Sequence, residues 1–290
     1  MTACTADKTA QSKARALKCV NDLPPFSPTL NRLLATLAKE DASFSQIGDL
    51  IEKDTVVSGN ILHLVNSALY GRRGTINSVR HAVSLLGVNK LRNAALGMSI
   101  TRMWNDVRTP PKFSMARFNK HAAATAILAD LLAQRLPVSY PEGAFVAGLL
   151  HDVGRLLIAI GLREEHQRIT YLQEGGQPQL ASELEVIGIT HPELSAEALH
   201  IWQLPVPIQG AVRYHHEPSA DDARTGSQLM LSDLVDASNR YVNTLGVSIV
   251  EGIGDPGDPE TALEHLPLRD HEGLMHDFDT EFAAVAQFFG

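Results

Sequence analysis

Apolar residues recur at helical spacing along the chain, and no stretch alternates with the period of two that marks a half-buried strand. The proline-rich segment 23–28 forms a rigid, extended entry. After it, Leu30, Leu33, Leu34 and Leu37 would share one helix face. Short elements of the same kind follow, so the pattern predicts an all-α fold.

Prolines and glycines divide this pattern into segments. Adjacent prolines stop a helix, so Pro110-Pro111 is the best candidate for a boundary. We expect a flexible arm or a first helix over 1–22, a helical subdomain over 23–108, a second over 109–250, and a loop and helix over 251–290. Helices of the second half are predicted over 115–136, 143–160, 192–203, 208–216 and 225–245, and an amphipathic helix from Glu272.

Composition narrows the class of protein. The chain has 290 residues, of which 44% are hydrophobic and 20% charged, too apolar for wholesale disorder. Its net charge of −8 argues against binding nucleic acid through bulk charge. Cys4 and Cys19 are too few for a disulfide framework, and no signal peptide or apolar run of about 18 residues is evident. We therefore expect a cytoplasmic location and no contact with a membrane.

The candidate chemistry begins in one very apolar segment, Ala144 to Ile160, which is predicted to be a buried helix. Three polar residues interrupt it: His151, Asp152 and Arg155. Burying an adjacent His and Asp costs several kcal/mol unless both are hydrogen-bonded, paired or bound to a metal. The dipeptide alone leaves two interpretations open, a metal site and a hydrogen-bonded pair.

Further residues of the ligand type follow at helix-scale separations. Imidazole and carboxylate groups together suit zinc, iron or manganese. Each residue taken singly is more often structural or solvated, so the significance lies in their order. The candidates are His121, His191, the adjacent pair His215 and His216, and Asp233 and Asp236, three residues apart on one helix.

This order resembles the HD superfamily of metal-dependent phosphohydrolases. The resemblance implies a first metal site of His121, His151, Asp152 and one of Asp233 or Asp236, with Asp233 preferred from the run LSDLVDA. It implies that His191, His215 and His216 are candidates for a second site. In an active enzyme, Arg155, His215 and His216 would be the candidate catalytic residues.

Two departures from that family weaken the case for catalysis. The branch that cleaves cyclic di-GMP carries a Gly-Tyr-Pro signature after its His-His-Glu, and here the sequence continues HHEPSADDARTGSQ. The lysine that usually follows His-Asp-x-Gly is Arg155. The planar fork of arginine is not interchangeable with an ammonium group.

The first half is similar to one subgroup, the HDOD domain (HD-related output domain) of bacterial signalling proteins. The matching stretches run from LPPFSPTLNRLL through VNSALYG and HAVSLLG to AGLLHDVGRLLI and WQLPVPIQGAVRYHHEP, about residues 23–245. One departure is Asp54-Thr55, where the family usually has Asp-Pro. The resemblance implies two packed helical subdomains, the second an HD-type bundle.

The resemblance implies a stand-alone regulatory module of bacterial signal transduction. Such a module would bind a signalling protein in trans, with a nucleotide as a second candidate ligand, and would have little or no catalytic activity. A metal-dependent phosphohydrolase is the alternative. In a third interpretation, a divalent metal (iron, manganese or zinc) is bound only to stabilise the structure and has no open coordination position. The sequence also leaves open that no metal is bound, and it gives no oligomeric state.

Two features of the first half have alternatives of their own. Asn66, near a predicted helix end and followed by Gly71, is either a capping residue or a functional contact. Arg72, Arg73 and Arg80 form either a solvated face or a surface for an anion or a partner.

Overall fold

The computed structural model describes residues 2–21, 26–37, 44–66, 76–104, 107–250 and 257–286. Within these ranges the regular structure is helical, and one isolated bridge pairs Val138 with Leu229. No strand occurs in these ranges, so the all-α prediction is confirmed.

The chain forms two compact units. The first comprises Met1–Pro24 and Val107–Leu268, and the second Pro25–Asp106 and Arg269–Gly290. Helices of the first unit are α1 (Thr2–Asn21), α7 (Met115–Ala133), α8 (Ala144–Leu150), α9 (Val153–Gly161), α10 (Arg163–Glu174), α11 (Gln179–Ile187), α12 (His191–Ile201), α13 (Val206–Arg213), α14 (Leu231–Thr244) and α15 (Pro259–Ala262). Those of the second are α2 (Pro28–Ala35), α3 (Phe44–Glu52), α4 (Thr55–Asn66), α5 (Val79–Leu86), α6 (Val88–Met103) and α16 (His271–Val285).

The second unit follows its hydrophobic pattern closely. Leu30 and Leu33 are fully buried, and Ser27 caps α2 by accepting a hydrogen bond from the amide of Leu30. The Asn66 amide exchanges two hydrogen bonds with the backbone of Ile76, at 2.7 and 2.8 Å. Asn66 therefore tethers the residues before α5 to the end of α4, a structural role.

The expected basic surface is described only in part. Arg80 forms an exposed ion pair with Asp49 at 3.1 Å. Gly71, Arg72 and Arg73 lie outside the described residues.

The N-terminal residues Thr2–Asn21 form a helix, the second of the two interpretations of the N-terminus. In the first unit, Ser12 and Arg15 hold the buried carboxylate of Glu165, at 3.0 and 2.6 Å. A buried carboxylate needs such partners, so these contacts fix α1 against α10.

The segment predicted as one helix over 143–160 is two helices in the structure. α8 ends at Leu150 and α9 begins at Val153, with a turn at His151 and Asp152 between them. Asp152 has φ −103° and ψ 12°, outside the helical region. The apolar pattern continues across this turn, so periodicity did not reveal it.

The same segment is the one candidate membrane span among the described residues. Pro141–Gly161 is long and apolar enough to cross a membrane, judged by length and composition only. However, 89% of its most apolar stretch is buried inside the protein. The turn at His151 and Asp152 interrupts it, which agrees with a core segment of a folded unit.

Candidate metal centre

Four regions of the first unit place their side chains in one buried cluster, defined here as His121, His151, Asp152, His191, His215 and His216. α7 supplies His121 from its interior, the turn between α8 and α9 supplies His151 and Asp152, α12 supplies His191 as its first residue, and the turn after α13 supplies His215 and His216. The structure thus brings together six of the eight residues that the sequence offered as metal ligands.

The turn at His151 and Asp152 explains how two adjacent residues reach the same place. Asp152 occupies the capping position of α9, yet its side chain makes no capping bond. The amide of Gly154 in the first turn of α9 instead donates to the hydroxyl of Ser195 on α12, at 2.8 Å. Because Ser195 satisfies this amide, the Asp152 carboxylate is free to enter the cluster.

A capping box fixes the position of His191. Thr190 caps α12 by accepting from the amide of Glu193, whose carboxylate accepts from the amide of Thr190. Pro192 stands in the first turn, where a missing amide hydrogen costs nothing. The helix therefore begins at His191, and its ring lies at the helix end.

The four buried histidines share one hydrogen-bonding arrangement. His121, His151 and His215 each donate Nδ1–H to a backbone carbonyl, those of Val247, Gly148 and Val212, at 2.8, 2.7 and 2.6 Å. His191 also uses Nδ1, but its acceptor is a carboxylate: both oxygens of Glu183 lie 2.9 Å from this atom. A ring that donates from Nδ1 directs Nε2 elsewhere, and here all four Nε2 atoms face the cluster.

The Nε2 atoms and the Asp152 carboxylate approach one another closely. The Asp152 oxygens lie 3.5 Å from His151 Nε2 and 3.0 Å from His191 Nε2. His121 Nε2 is 3.3 Å from His151 Nε2, and His216 Nε2 is 3.2 Å from His191 Nε2. Two ligands of a metal about 2.1 Å away lie roughly 3.0–3.4 Å apart, which is the spacing found here.

Burial is the largest single influence on the pKa of His121, His151 and His191, and in each case it acts to lower that pKa. It lowers the pKa of His151 to about 3 and also lowers the pKa of His121. Burial acts the same way on His191, but the carboxylates of Glu183 and Asp152 outweigh it and raise its pKa to about 9.

The carboxylate at the centre of the cluster is ionised. Burial raises the pKa of Asp152, yet His151, Arg155 and His191 together hold that pKa well below the usual range. The cluster therefore combines the neutral imidazoles of His121 and His151 with a carboxylate anion, as metal binding requires, whereas His191 must release a proton when a metal binds.

Two cluster atoms, Asp152 Oδ1 and His215 Nε2, have no hydrogen-bond partner among the described residues. His215 is fully buried, and its Nε2 makes no hydrogen bond, although Asp152 Oδ1 lies 3.7 Å away. A buried, unpaired polar atom costs about 1–3 kcal/mol. A cation at this point would remove the cost, so the donor set fits a divalent metal.

The donor atoms divide into two groups that share Asp152. The first group is His121, His151 and Asp152, and the second is Asp152, His191, His215 and His216. Five of the six residues are buried, and His216 alone is exposed. Arg155 lies at the edge of the cluster, with its guanidinium 3.3 Å from Asp152.

Asp233 and Asp236 do not reach the cluster, so the expectation that one completes the metal set is not met by the structure. Asp233 accepts hydrogen bonds from Arg224 and from the amide of Met230, both at 2.7 Å, and so closes the first turn of α14. Asp236 lies 3.8 Å from Arg240, one turn further along. Asp233 is thus held by Arg224 and the first turn of its helix, whereas Asp236 faces Arg240, His265 and His215 but belongs to neither ligand group.

Two residues that sequence reasoning missed contact the cluster histidines. The side chain of Asn239 on α14 lies beside His121, and the carboxylate of Glu183 on α11 lies 2.9 Å from Nδ1 of His191. Asn239 follows Asp236 by three residues, so it lies near the same helix face. No local signal marks Glu183, whose partner is eight residues away.

Comparisons with known proteins agree with the fold described above. The sequence profile of the HDOD domain family matches residues 23–218. A crystal structure of an HDOD domain protein with unknown function from Geobacter sulfurreducens is 25% identical, with a TM-score of 0.75, and the match covers 97% of this chain and 94% of that one.

Two further proteins are similar to this chain, one in its crystal structure and one in its sequence. A protein from Shewanella amazonensis SB2B, provisionally named a phosphohydrolase, has the same fold, with a TM-score of 0.69, 22% identity, and 96% and 99% of the two chains covered. An uncharacterized protein from Treponema pallidum (strain Nichols) is 23% identical over 209 residues, 68% of this chain. The chain spans only 38% of the length of that curated relative.

Proposed function

The chain belongs to the HDOD domain family, and from this premise we propose that it is a regulatory module of bacterial signal transduction. The module holds a divalent metal in its His/Asp cluster and acts by binding a signalling protein, with little or no catalytic activity. Iron, manganese and zinc suit the donor set. A nucleotide is a second candidate ligand, and we expect neither nucleic acid nor a membrane as partner.

The observation that carries this proposal is the closure of the cluster. Five of its residues, His121, His151, Asp152, His191 and His215, are at most 2% exposed. Structural metal sites are closed, whereas catalytic sites keep a position open to substrate. A centre that is buried on every side except that of His216 offers a phosphate ester little access to the metal.

The departures around the cluster favour the same conclusion. The Gly-Tyr-Pro signature of the cyclic-di-GMP phosphodiesterase branch is absent from the sequence. Arg155 stands where a lysine is usual, and its guanidinium is engaged with Asp152 rather than free to bind a phosphate. Helix α14 places the amide side chain of Asn239 beside His121, where the resemblance implied a carboxylate.

Metal analysis of untagged protein, purified without added metal, tests the first half of the proposal. We expect at least one iron, manganese or zinc ion per chain. His215→Ala should lower the metal content, because its Nε2 faces the cluster. His200→Ala is the matched control, since His200 is exposed on α12 and outside the cluster.

A phosphodiesterase assay on cyclic dinucleotides tests the second half. Metal without turnover agrees with the regulatory module.

The metal analysis has its own contradicting outcomes. A wild-type protein without metal, or equal metal contents in His215→Ala and His200→Ala, contradicts the metal centre.

A metal-dependent phosphohydrolase is the second candidate, favoured by two groups that do reach solvent. His216 is exposed at one side of the cluster, and the Arg155 side chain is 19% exposed. Arginine is suited to bind phosphate, and a metal supplies Lewis acidity to such hydrolyses. Turnover that depends on metal and falls in Arg155→Gln would replace the regulatory module by this enzyme.

A further inference from the structure

We propose that Glu183 is a positioning residue of the metal centre, which orients His191 so that its Nε2 faces the ligand group formed with Asp152, His215 and His216. The inference rests on the proposed metal centre. It concerns one residue of α11 that lies outside the cluster.

The contact between Glu183 and His191 is completely buried, and both side chains are 0% exposed. Oε2 of Glu183 accepts the backbone amide of His191 at 2.7 Å, and both of its oxygens lie 2.9 Å from Nδ1. The carboxylate thus fixes the backbone and the ring of the same residue. The ring can neither rotate nor shift along α12 without losing these bonds.

Glu183 is itself held from behind. Gln179 donates a hydrogen bond to its Oε1, and Gln173 donates to the side-chain oxygen of Gln179. These three residues line one side of a cavity of about 20 Å³, which Arg155 also lines. The support of His191 therefore extends from the cluster to a small cavity beside α10.

Glu183 differs from the supports of the other buried cluster histidines. His121, His151 and His215 donate Nδ1–H to backbone carbonyls. Among the cluster histidines whose Nδ1 contacts are described, His191 alone has a carboxylate as acceptor. An anionic acceptor strengthens the ligand and holds it more firmly than a carbonyl. We expect the second ligand group to depend on Glu183 and the first group, His121 with His151, to be unaffected.

The test is a cobalt titration of chelator-treated, full-length protein against a competing chelator. Glu183→Gln keeps the size of the side chain and removes its charge. We expect its affinity for Co²⁺ to fall 10–100-fold and its visible absorption spectrum to change. Glu185→Gln is the matched control, because Glu185 is exposed on the same helix and should bind cobalt like the wild type.

A second readout separates positioning from folding. The ¹⁵N shifts of the His191 ring should change in Glu183→Gln, while those of His121 stay as in the wild type. If Glu183→Gln does not fold, Gln179→Leu replaces it, because Gln179 is only half-buried and donates to Glu183. We expect a several-fold loss of cobalt affinity in that variant.

The outcomes distinguish this inference from the proposal on which it rests. A wild-type protein that binds no cobalt contradicts both. Wild-type binding with unchanged affinity in Glu183→Gln, or in Gln179→Leu where that variant replaces it, overturns the role of Glu183 and leaves the metal centre standing. Equal changes in the ¹⁵N shifts of His121 and His191 would also overturn it, because they indicate a general loss of structure.

Discussion

At the scale of single residues, hydrogen bonds to Nδ1 decide what the buried histidines can do. His151 and His215 each donate to the carbonyl three residues earlier, Gly148 and Val212. This local contact fixes one tautomer and leaves Nε2 without a proton. Burial lowers the pKa of His151 to about 3, so that ring is available as a neutral ligand.

Asn239 gives the first prediction at this scale. Asn239→Asp places a carboxylate beside His121, and we expect roughly tenfold tighter binding of divalent metal because anionic ligands favour a cation. The same variant should lower the stability of the metal-free protein, because it buries a further charge without a partner. Metal competition and urea unfolding measure the two effects.

Asn60→Asp is the control for that variant, since Asn60 is half-buried on α4 of the second unit and does not belong to the unit that carries the cluster. We expect it to change metal affinity less than twofold. Equal affinities in the Asn239→Asp and wild-type proteins would contradict the placement of Asn239 at the cluster.

His166 gives a second residue-scale prediction, on pH. Its ring is buried against Phe113, and burial lowers its pKa to about 4. The unfolded chain takes up a proton below pH 6.5 and the folded protein does not until about pH 4, so this contribution to stability is present above pH 6.5 and is lost as the pH falls to 4. Between pH 7 and 4.5 we expect a loss of about 2 kcal/mol from this residue.

Urea unfolding of wild type and His166→Gln across that range measures the effect. The variant should lose less stability on acidification than the wild type. His200→Gln, at an exposed position, should follow the wild-type curve. Parallel curves for wild type and His166→Gln would show that His166 titrates normally.

At the scale of elements, the contact between α9 and α12 positions the centre. Gly154 has no side chain, and a Cβ built there would lie 2.2 Å from the carbonyl oxygen of His191 and 2.9 Å from Ser195 Oγ. The two helices therefore approach to backbone contact just where each contributes to the cluster. Glycine at this position sets the distance between Asp152 and His191.

Gly154→Ala tests that requirement. We expect a loss of about 1–3 kcal/mol of stability from the forced separation of α9 and α12, together with weaker metal binding as His191 moves. Urea unfolding and metal competition measure both.

Gly210→Ala is the matched control, because a Cβ there meets its nearest atom, on Asp221, at 3.9 Å. It should retain metal binding. A Gly154→Ala protein that binds metal normally would show that the helices separate without moving the ligands.

At the scale of the whole molecule, the cluster belongs to one of the two compact units. All six of its residues lie within Val107–Leu268. The second unit has its own buried core, with Leu64, Leu91 and Leu96 each at most 2% exposed. Metal that binds only the folded first unit adds stability to that unit alone.

Removal of metal should therefore affect unfolding unevenly. A chelator should lower the stability of the first unit by about 3–4 kcal/mol if metal was present at 100–1,000 times its dissociation constant. Calorimetry should show one transition moving to lower temperature and a second unchanged. His215→Ala should respond less to the chelator than the wild type, because it lacks one ligand of the second group. Equal shifts of both transitions would contradict the assignment of the metal to one unit.

Much of this architecture was open to prediction from the sequence. Helical spacing of leucines predicted the all-α fold, which the structure confirms, and the adjacent prolines predict a boundary near residue 110. The polar pair His151 and Asp152 inside an apolar segment required a buried partner. The order of the histidines from His121 to His216, which resembles the HD superfamily, supplied the other members of the cluster.

What the sequence could not decide depends on contacts between distant helices. The sequence offered Asp233 and Asp236 and not Asn239, and only the packing of α14 shows that Asn239 lies beside His121. The turn at His151 and Asp152 forms because Ser195, 41 residues away from Gly154, satisfies the amide of that glycine. Glu183 enters because α11 packs beside the start of α12. Local propensity fixes which residues are helical, whereas the face that each helix buries is decided by the free energy of the whole packed unit.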